Sequence, residues 1–154
     1  MGDAILAELQ AGAPDLDQIV RAAIRLGVAL ALGAVAGLPR ERTGKAAGLR
    51  THMLVAMGST LFVLVALEAG LESEIGRVIQ GVATGVGFIG GGAILKLGRE
   101  REIHGLTTAA GLWMTAATGV AAGLGHIALA VIAMTFTWLT LAWIGRFEHH
   151  QTDD

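Results

Sequence analysis

The chain has no cysteine and few charged residues. The missing cysteine excludes disulfide bonds, cysteine-ligated metal sites and thiol chemistry, and it leaves the compartment open. Charged residues make up 16% of the 154 residues, against about 25% in an average soluble protein. The formal net charge of -2 offers no basic footprint for nucleic acid. Thiol chemistry and nucleic-acid partners are therefore excluded.

Glycine and apolar residues are abundant instead. The chain has 23 glycines, and a mean hydropathy of +0.62 requires most of it to face an apolar environment. About 20 apolar residues in a helix cross a hydrocarbon core of roughly 30 Å. Five such segments occur, at residues 19–38, 51–71, 78–95, 105–124 and 127–144. The sequence predicts an all-α polytopic membrane protein with about five transmembrane helices in residues 19–145, a polar lead-in in 1–18 and a tail in 146–154.

The third segment carries a glycine motif. Gly85, Gly87 and Gly90 have the spacing of a dinucleotide-binding turn, which needs a strand before it, a helix after it and an acidic residue about 20 residues on. Here the glycines lie inside a long uncharged apolar run, and the next acidic residues fall in a highly charged loop. This context favours a transmembrane helix over a nucleotide site.

The small residues of the third segment gather on one side of that helix. Small residues let helix backbones approach closely in lipid. The third helix is therefore predicted to be central and glycine-rich, with other helices against its glycine face and with Val82 and Val86 on the opposite side. Self-association through this face is an alternative. The predicted packing residues of the third segment are Gly81, Gly85, Gly87, Gly91 and Gly92.

The fourth segment has a comparable small, weakly polar face. It contains Thr108, Gly111, Thr115 and Thr118. Threonines in a membrane helix form hydrogen bonds between helices or to their own backbone, or they line a water-filled path beside the third helix. Both interpretations stay open, and Gly111 and Thr115 are predicted to pack against a neighbouring helix.

Lysines and arginines cluster in alternate loops. They lie in the first loop, in the third loop and in the tail, whereas the second loop has only Arg77 and the fourth has none. The positive-inside rule then predicts an external N-terminus and a cytoplasmic C-terminus. Arg25 enters the first helix from outside, where its long stem can reach the headgroups.

Four ordered blocks, residues 37–42, 47–55, 85–92 and 105–113, resemble the MgtC/SapB membrane-protein family over about residues 19–143. Pro39 stands where many relatives have an acidic residue, and the chain is expected to be the transmembrane domain without a soluble C-terminal domain. The resemblance carries the family's motif positions over to Arg40, Glu41, Arg42, Gly48, Leu49, Arg50, Thr51, Gly87, Gly90, Gly105, Leu106, Thr107, Thr108 and Trp113.

The resemblance implies a multi-pass protein of the bacterial inner membrane, linked to magnesium limitation and to survival inside hosts. It also implies restraint of the proton-translocating ATP synthase as one mode of action. We therefore expect a regulator that docks on another membrane complex, with a possible homo-oligomer. The alternative is a transporter or channel for a small ion, either Mg²⁺ or an anion.

The physical interpretation of the motif positions centres on the first cytoplasmic loop. Arg40, Arg42 and Arg50 form a basic mouth that suits anionic headgroups, phosphate or an acidic partner. Arg50 is predicted to be drawn toward the membrane, with Glu41 as its nearest partner. Each arginine alone is also explained as a topology signal.

Catalytic and metal sites find little support in the sequence. Mg²⁺ prefers carboxylates with retained waters, but Glu68, Glu72 and Glu74 are predicted to form a solvated external rim. The histidines, including His52, each stand alone at helix ends and form no ligand set. No pair of nucleophile and base is readable, so we expect no enzyme, no cofactor and no metal site.

Overall fold

Five α-helices account for most of the described chain. The computed structural model describes residues 1–2, 5, 15–96 and 103–141. The helices are α1 (Leu16–Arg42), α2 (Leu49–Glu68), α3 (Ile75–Gly92), α4 (Leu106–Gly123) and α5 (Ile127–Leu139). A short 3-10 turn, Glu72–Glu74, precedes α3, and β1 (Leu95–Lys96) pairs antiparallel with β2 (Ile103–His104). The predicted all-α fold with five helices is confirmed.

The length and apolar character of the helices fit a bilayer. Among the described helices, α1 and α2 are long and apolar enough to cross a membrane, and α5 is a shorter apolar helix. The sequence-based boundaries agree with the helices to within a few residues, except at the end of the first segment. The predicted end of the fifth segment, including Trp143, lies outside the described residues.

Helix α1 is longer at both ends than the apolar run predicts. Asp15 caps its start and forms a reciprocal capping box with Gln18, which satisfies backbone N–H groups that have no partner inside the helix. At the other end the helix continues through Pro39 to Arg42. Proline removes one backbone donor, and the Thr43 hydroxyl and amide both bond the Pro39 carbonyl. The predicted charged loop therefore begins after Arg42.

Helix α4, not α3, is the central helix, and it contacts the four others. Its small residues permit this position. A Cβ on Gly119 would collide with the Ala56 carbonyl of α2, and a Cβ on Gly123 would lie 2.8 Å from the Val63 Cβ. Helix α1 approaches α2 in the same way, because Cβ atoms on Gly33 and Gly37 would lie 2.8 and 2.7 Å from backbone Cα atoms of α2. The close-packing glycines of the described chain thus lie on α1 and α4.

Helix α3 is rotated by about half a turn from its predicted orientation. Its buried side is the valine side, where Val86 joins Ala47, Leu112 and Ala116 in one apolar cluster. The glycine side faces outward, and a Cβ on Gly81, Gly85, Gly87, Gly91 or Gly92 would meet no atom of the chain within 4 Å. This corrects the prediction that other helices of the chain cover the glycine face. The valine side chains make more van der Waals contacts with neighbouring helices than glycines can, and this packing favours the observed rotation.

Candidate functional site

A buried arginine lies at the end of the bundle where α1 and α3 end and α2 and α4 begin (the Arg40 end). Arg40 is only 8% exposed, although it stands in the last turn of α1. Its Nη2 donates a 2.5 Å hydrogen bond to Oγ1 of Thr108 in the first turn of α4. Its Nε is buried and finds no hydrogen-bond partner. One guanidinium nitrogen, Nη2, is therefore hydrogen-bonded, and another, Nε, is buried without a partner.

A buried histidine lies about two turns farther along α4. His52 of α2 is fully buried, and its Nδ1 lies 2.8 Å from Oγ1 of Thr115. That hydroxyl already donates its single hydrogen to the Gly111 carbonyl at 2.9 Å. It must therefore accept from His52, which assigns the hydrogen of the neutral ring to Nδ1 and leaves Nε2 as an acceptor. Nε2 is buried without a partner.

Glycines make room for this histidine. A Cβ on Gly37 would lie 3.1 Å from the His52 Cβ, and one on Gly111 would lie 3.6 Å from its Cε1. Gly33, which lies one turn before Gly37 on α1, allows this helix to approach the His52 carbonyl. The ring is thus enclosed by α1, α2 and α4. His52 lies in the first turn of α2, as predicted, but it is not isolated there, because its ring bonds Thr115 of α4.

The start of α2 holds several of the predicted motif residues. Oε2 of Glu41 accepts from the Leu49 amide at 2.9 Å, so a carboxylate caps the positive end of this helix. Gly48 is required here, because a Cβ would collide with that carboxylate. Arg50 is exposed, and Thr51 is half-buried. Arg40, rather than Arg50, is therefore the arginine drawn into the bundle, and Glu41 serves a helix end instead of pairing with Arg50.

The start of α4 has no comparable cap. Gly105 occupies the N-cap position with φ of 99° and has no side chain that could cap the helix, and no other side chain of the described residues does so. A Cβ at Gly105 would collide with the Ala93 carbonyl at the end of α3. Leu106 and Thr107 are exposed, whereas Thr108 is buried. Of these four motif positions, the structure brings only Thr108 to Arg40.

The remaining motif residues lie apart from this cluster. Arg42 and Gly87 are exposed, and Gly90 is buried against Ala109 of α4. Trp113 is 49% exposed and borders a small apolar pocket between α3 and α4. The motif residues therefore do not form a single site in the structure.

Further polar contacts follow α4 toward its other end. The Thr60 hydroxyl donates to the Gly119 carbonyl at 2.7 Å, and Nη1 of Arg25 donates to the Gly123 carbonyl at 2.7 Å. Arg25 is thus tied to the end of α4, where a cation suits the helix dipole, instead of extending freely to the headgroups. The threonine face of α4 turns toward α1 and α2. It does not line a path beside α3.

The carboxylates of the other end do not group into a metal site. Glu68 and Glu72 are exposed, and Glu74 pairs with Arg77 at 3.0 Å. Among the described residues, no three histidine, aspartate or glutamate side chains are placed to hold a metal ion.

An apolar groove of about 710 Å³ runs between α2 and α3 on the outer surface. Its floor contains Gly58, Gly81 and Gly85, and its rim includes Leu54 and Phe62, which are 66% and 65% exposed. Within the described chain, no helix covers this groove. Helix α3 forms one wall with Gly81 and Gly85 and with the apolar side chains of Val78, Val82, Val86 and Ile89.

Comparisons with known proteins agree on one family. The profile described as MgtC family matches residues 26–150. Protein SrpB of Synechococcus elongatus is 47% identical, covering 80% of this chain and 75% of SrpB. The "Putative magnesium transporter YhiD" of Escherichia coli is 44% identical over 73% of the chain, and Protein MgtC of Salmonella typhimurium is 39% identical over 71%. The matched region spans only 55% of YhiD and 46% of MgtC. No solved structure matches the chain significantly.

Proposed function

Because this chain belongs to the MgtC family of membrane proteins, we propose that it is a regulatory protein linked to magnesium limitation, which acts by docking on another membrane complex. The groove between α2 and α3 is the proposed docking surface. Support for the magnesium link comes from the relative YhiD, whose name describes it as a magnesium transporter. We also propose that the protein resides in the bacterial inner membrane, with its N-terminus outside.

The composition of the groove supports a protein occupant over lipid. Helix α5 exposes Leu129, Ile132 and Phe136, which are large side chains that suit acyl chains. Helix α3 contributes Gly81 and Gly85 to the groove, and on its outward side it exposes further glycines, Gln80 and Thr84 beside the large side chain of Phe88. Small residues offer lipid little contact but allow a second helix backbone to approach closely. The exposed glycine face is the observation that carries this proposal.

The occupant would be a transmembrane helix of another protein. Every residue that lines the groove is uncharged, so an occupant inside the bilayer needs no charge of its own. The proton-translocating ATP synthase is one candidate complex, and a second copy of this chain is the competing occupant.

Photocrosslinking at two matched phenylalanines tests the docking proposal. Phe62 on the groove and Phe136 on α5 are 65% and 66% exposed, so a benzoyl-phenylalanine at either position is a conservative change. In cells grown in limiting magnesium, we expect the probe at 62 to capture a discrete membrane protein and the probe at 136 to capture lipid. Lipid alone at 62, or the same products at both positions, would contradict docking. Capture of this chain alone would replace docking by self-association.

Ion transport is a second candidate function, and one observation favours it. Contacts of Arg40, His52, Thr60 and Arg25 follow α4 from Thr108 to Gly123, a distance of about 22 Å at 1.5 Å per residue. Polar groups in the interior of a membrane protein commonly mark ion pathways. No buried carboxylate accompanies them among the described residues, which favours an anion over Mg²⁺ as the transported ion.

Reconstitution separates transport from docking. The purified protein and an Arg40→Ala variant would be placed in vesicles, and Mg²⁺ and anion flux would be measured. Flux that the variant loses would favour the transporter and place Arg40 on its path. Folded protein without flux would favour docking.

A further inference from the structure

The two helices that begin at the Arg40 end differ in how their positive ends are satisfied. The first N–H groups of any α-helix lack partners inside the helix and attract anions. At α2 the Glu41 carboxylate meets the Leu49 amide. At α4, an 18-residue helix, the N-cap residue is Gly105, which has no side chain, and no side chain of the described residues bonds the first amides. An anion is thus present at one helix start and absent from the other within the described residues.

A buried cation reaches the uncapped start of α4. Nη2 of Arg40 bonds Thr108, which is the third residue of that helix, and the neighbouring Nε donor is buried and unpartnered. Within the described chain, the only ion pair joins Arg77 and Glu74, so Arg40 has no carboxylate partner there. A buried charge without a counter-ion is costly. The arginine and the helix start therefore favour the same kind of ligand, an anion.

The third donor is the Thr108 hydroxyl. Its oxygen accepts the Arg40 bond, and the threonines farther along α4 donate to the carbonyl four residues back. Because the Thr108 oxygen accepts from Arg40, its hydrogen points elsewhere and can be donated to a ligand. Arginine Nε–H, a hydroxyl and helix N–H groups together are the donor set that recognises a tetrahedral oxyanion.

We propose that the Arg40 side chain, the Thr108 hydroxyl and the first turn of α4 form an oxyanion-binding site of the phosphate class. This inference goes beyond the proposed docking function and does not depend on it, because the groove is lined by other residues. The phosphate group could belong to inorganic phosphate or to an anionic lipid headgroup.

Binding to the purified full chain tests the site. Inorganic phosphate would be titrated into the protein in neutral detergent and followed by calorimetry. Phosphatidylglycerol retention would be counted by native mass spectrometry after extraction from phosphatidylcholine vesicles with and without that lipid. The Thr108→Val variant removes one hydrogen-bond donor to a charged ligand, so we expect affinity for the ligand to fall about tenfold or more. The Arg40→Lys variant keeps the positive charge but loses the planar set of guanidinium N–H donors, and it should also bind more weakly.

Three controls separate the site from a diffuse basic surface or a folding defect. Thr108→Ser restores the hydroxyl and should restore binding. Lys45→Gln removes an exposed cation at the same end, and Thr84→Val removes an exposed helix hydroxyl elsewhere; both should bind as the unmodified chain does. Saturable phosphate binding with this pattern identifies a free anion, and selective phosphatidylglycerol retention with this pattern identifies a headgroup. Failure of the unmodified chain to bind either, or equal loss in the Lys45→Gln variant, would overturn the site.

Discussion

Helices α3 and α4 are both 18 residues long and rich in glycine, yet they occupy opposite environments. Helix α4 buries Gly111, Gly119 and Gly123 and contacts every other helix. Helix α3 buries only Val86 and Gly90 and turns most of its glycines outward. Glycine content alone therefore does not determine which helix is central.

The difference follows from what each helix offers on its other faces. Helix α4 carries threonines that bond its own carbonyls and side chains of α1 and α2. The bonds to α1 and α2 form only when this face of α4 is buried against those helices. Helix α3 has valines opposite its glycines, and the gain of about 25 cal/mol per Å² on burial of apolar surface applies only to surface that would otherwise face water. In lipid that gain is small. The outward glycines instead allow the backbone of another helix to approach α3 closely.

The largest effect should come from filling a close contact of α4. Gly119→Leu would place its side chain against the Ala56 carbonyl, and we expect the free energy of unfolding to fall by at least about 3 kcal/mol. Gly87→Leu on α3 enters open space and should leave that free energy unchanged or raise it by up to about 1 kcal/mol. Unfolding in a detergent titration followed by circular dichroism measures both. Equal losses would place α3 and α4 in the same environment and refute the comparison.

The sequence predicts that Gly87 lies on the packed face of α3 and Val86 on the opposite side, and the structure reverses the expected sensitivity of the two positions. With Val86 only 6% exposed and Gly87 open to its surroundings, enlarging Val86 is now the more disruptive change for the folded monomer. Gly87 does not line the groove between α2 and α3, so Gly87→Leu should affect docking less than a change at Gly81 or Gly85, which do line it.

Removing a threonine hydroxyl should have the next largest effect. Thr115→Val leaves the His52 Nδ1–H buried without an acceptor, and we expect a loss of about 1–3 kcal/mol in the free energy of unfolding. The matched change on α3 is Thr84→Val, which removes an exposed hydroxyl that bonds only the Gln80 carbonyl, and it should stay within about 0.5 kcal/mol of zero. Thr115→Ser should recover most of the loss. A harmless Thr115→Val would show that His52 does not depend on this hydroxyl.

Much of the fold follows directly from the sequence. The apolar runs and their charged or glycine-containing boundaries predict five helices, because helix length and the absence of charge are local properties. The inward direction of the threonine face of α4 was also predicted, since polar side chains avoid lipid. Gly48 and Gly105 each precede a helix as expected, and close contacts with Glu41 and Ala93 explain why both are glycine.

The rotation of α3 could not be predicted in the same way. A small-residue face shows where another backbone can approach, and it does not show whether the partner lies in the same chain. The burial of Arg40 and His52 was missed for a different reason. Arg40 continues the buried stripe Ala29, Gly33, Ala36 and Gly37 of α1, and His52 begins the stripe that continues through Ala56 and Thr60 in α2. These stripes of small residues are visible in the sequence and indicate burial, but a count of charges by loop does not reveal them.

The smallest effects should differ in sign between the two helices. Gly123→Ala brings a Cβ within 2.8 Å of the Val63 Cβ and should lower the free energy of unfolding by about 1 kcal/mol. Gly85→Ala meets no atom of the chain, and it should raise that free energy by about 0.5–1 kcal/mol, because glycine weakens a helix interior. A chain that keeps glycine at an open helix position forgoes this stability, which is understandable if another backbone must reach that position. The Gly85→Ala variant should therefore be more stable and yet yield less crosslinked partner from the probe at 62. Greater stability with undiminished crosslinking would separate the glycine face from docking.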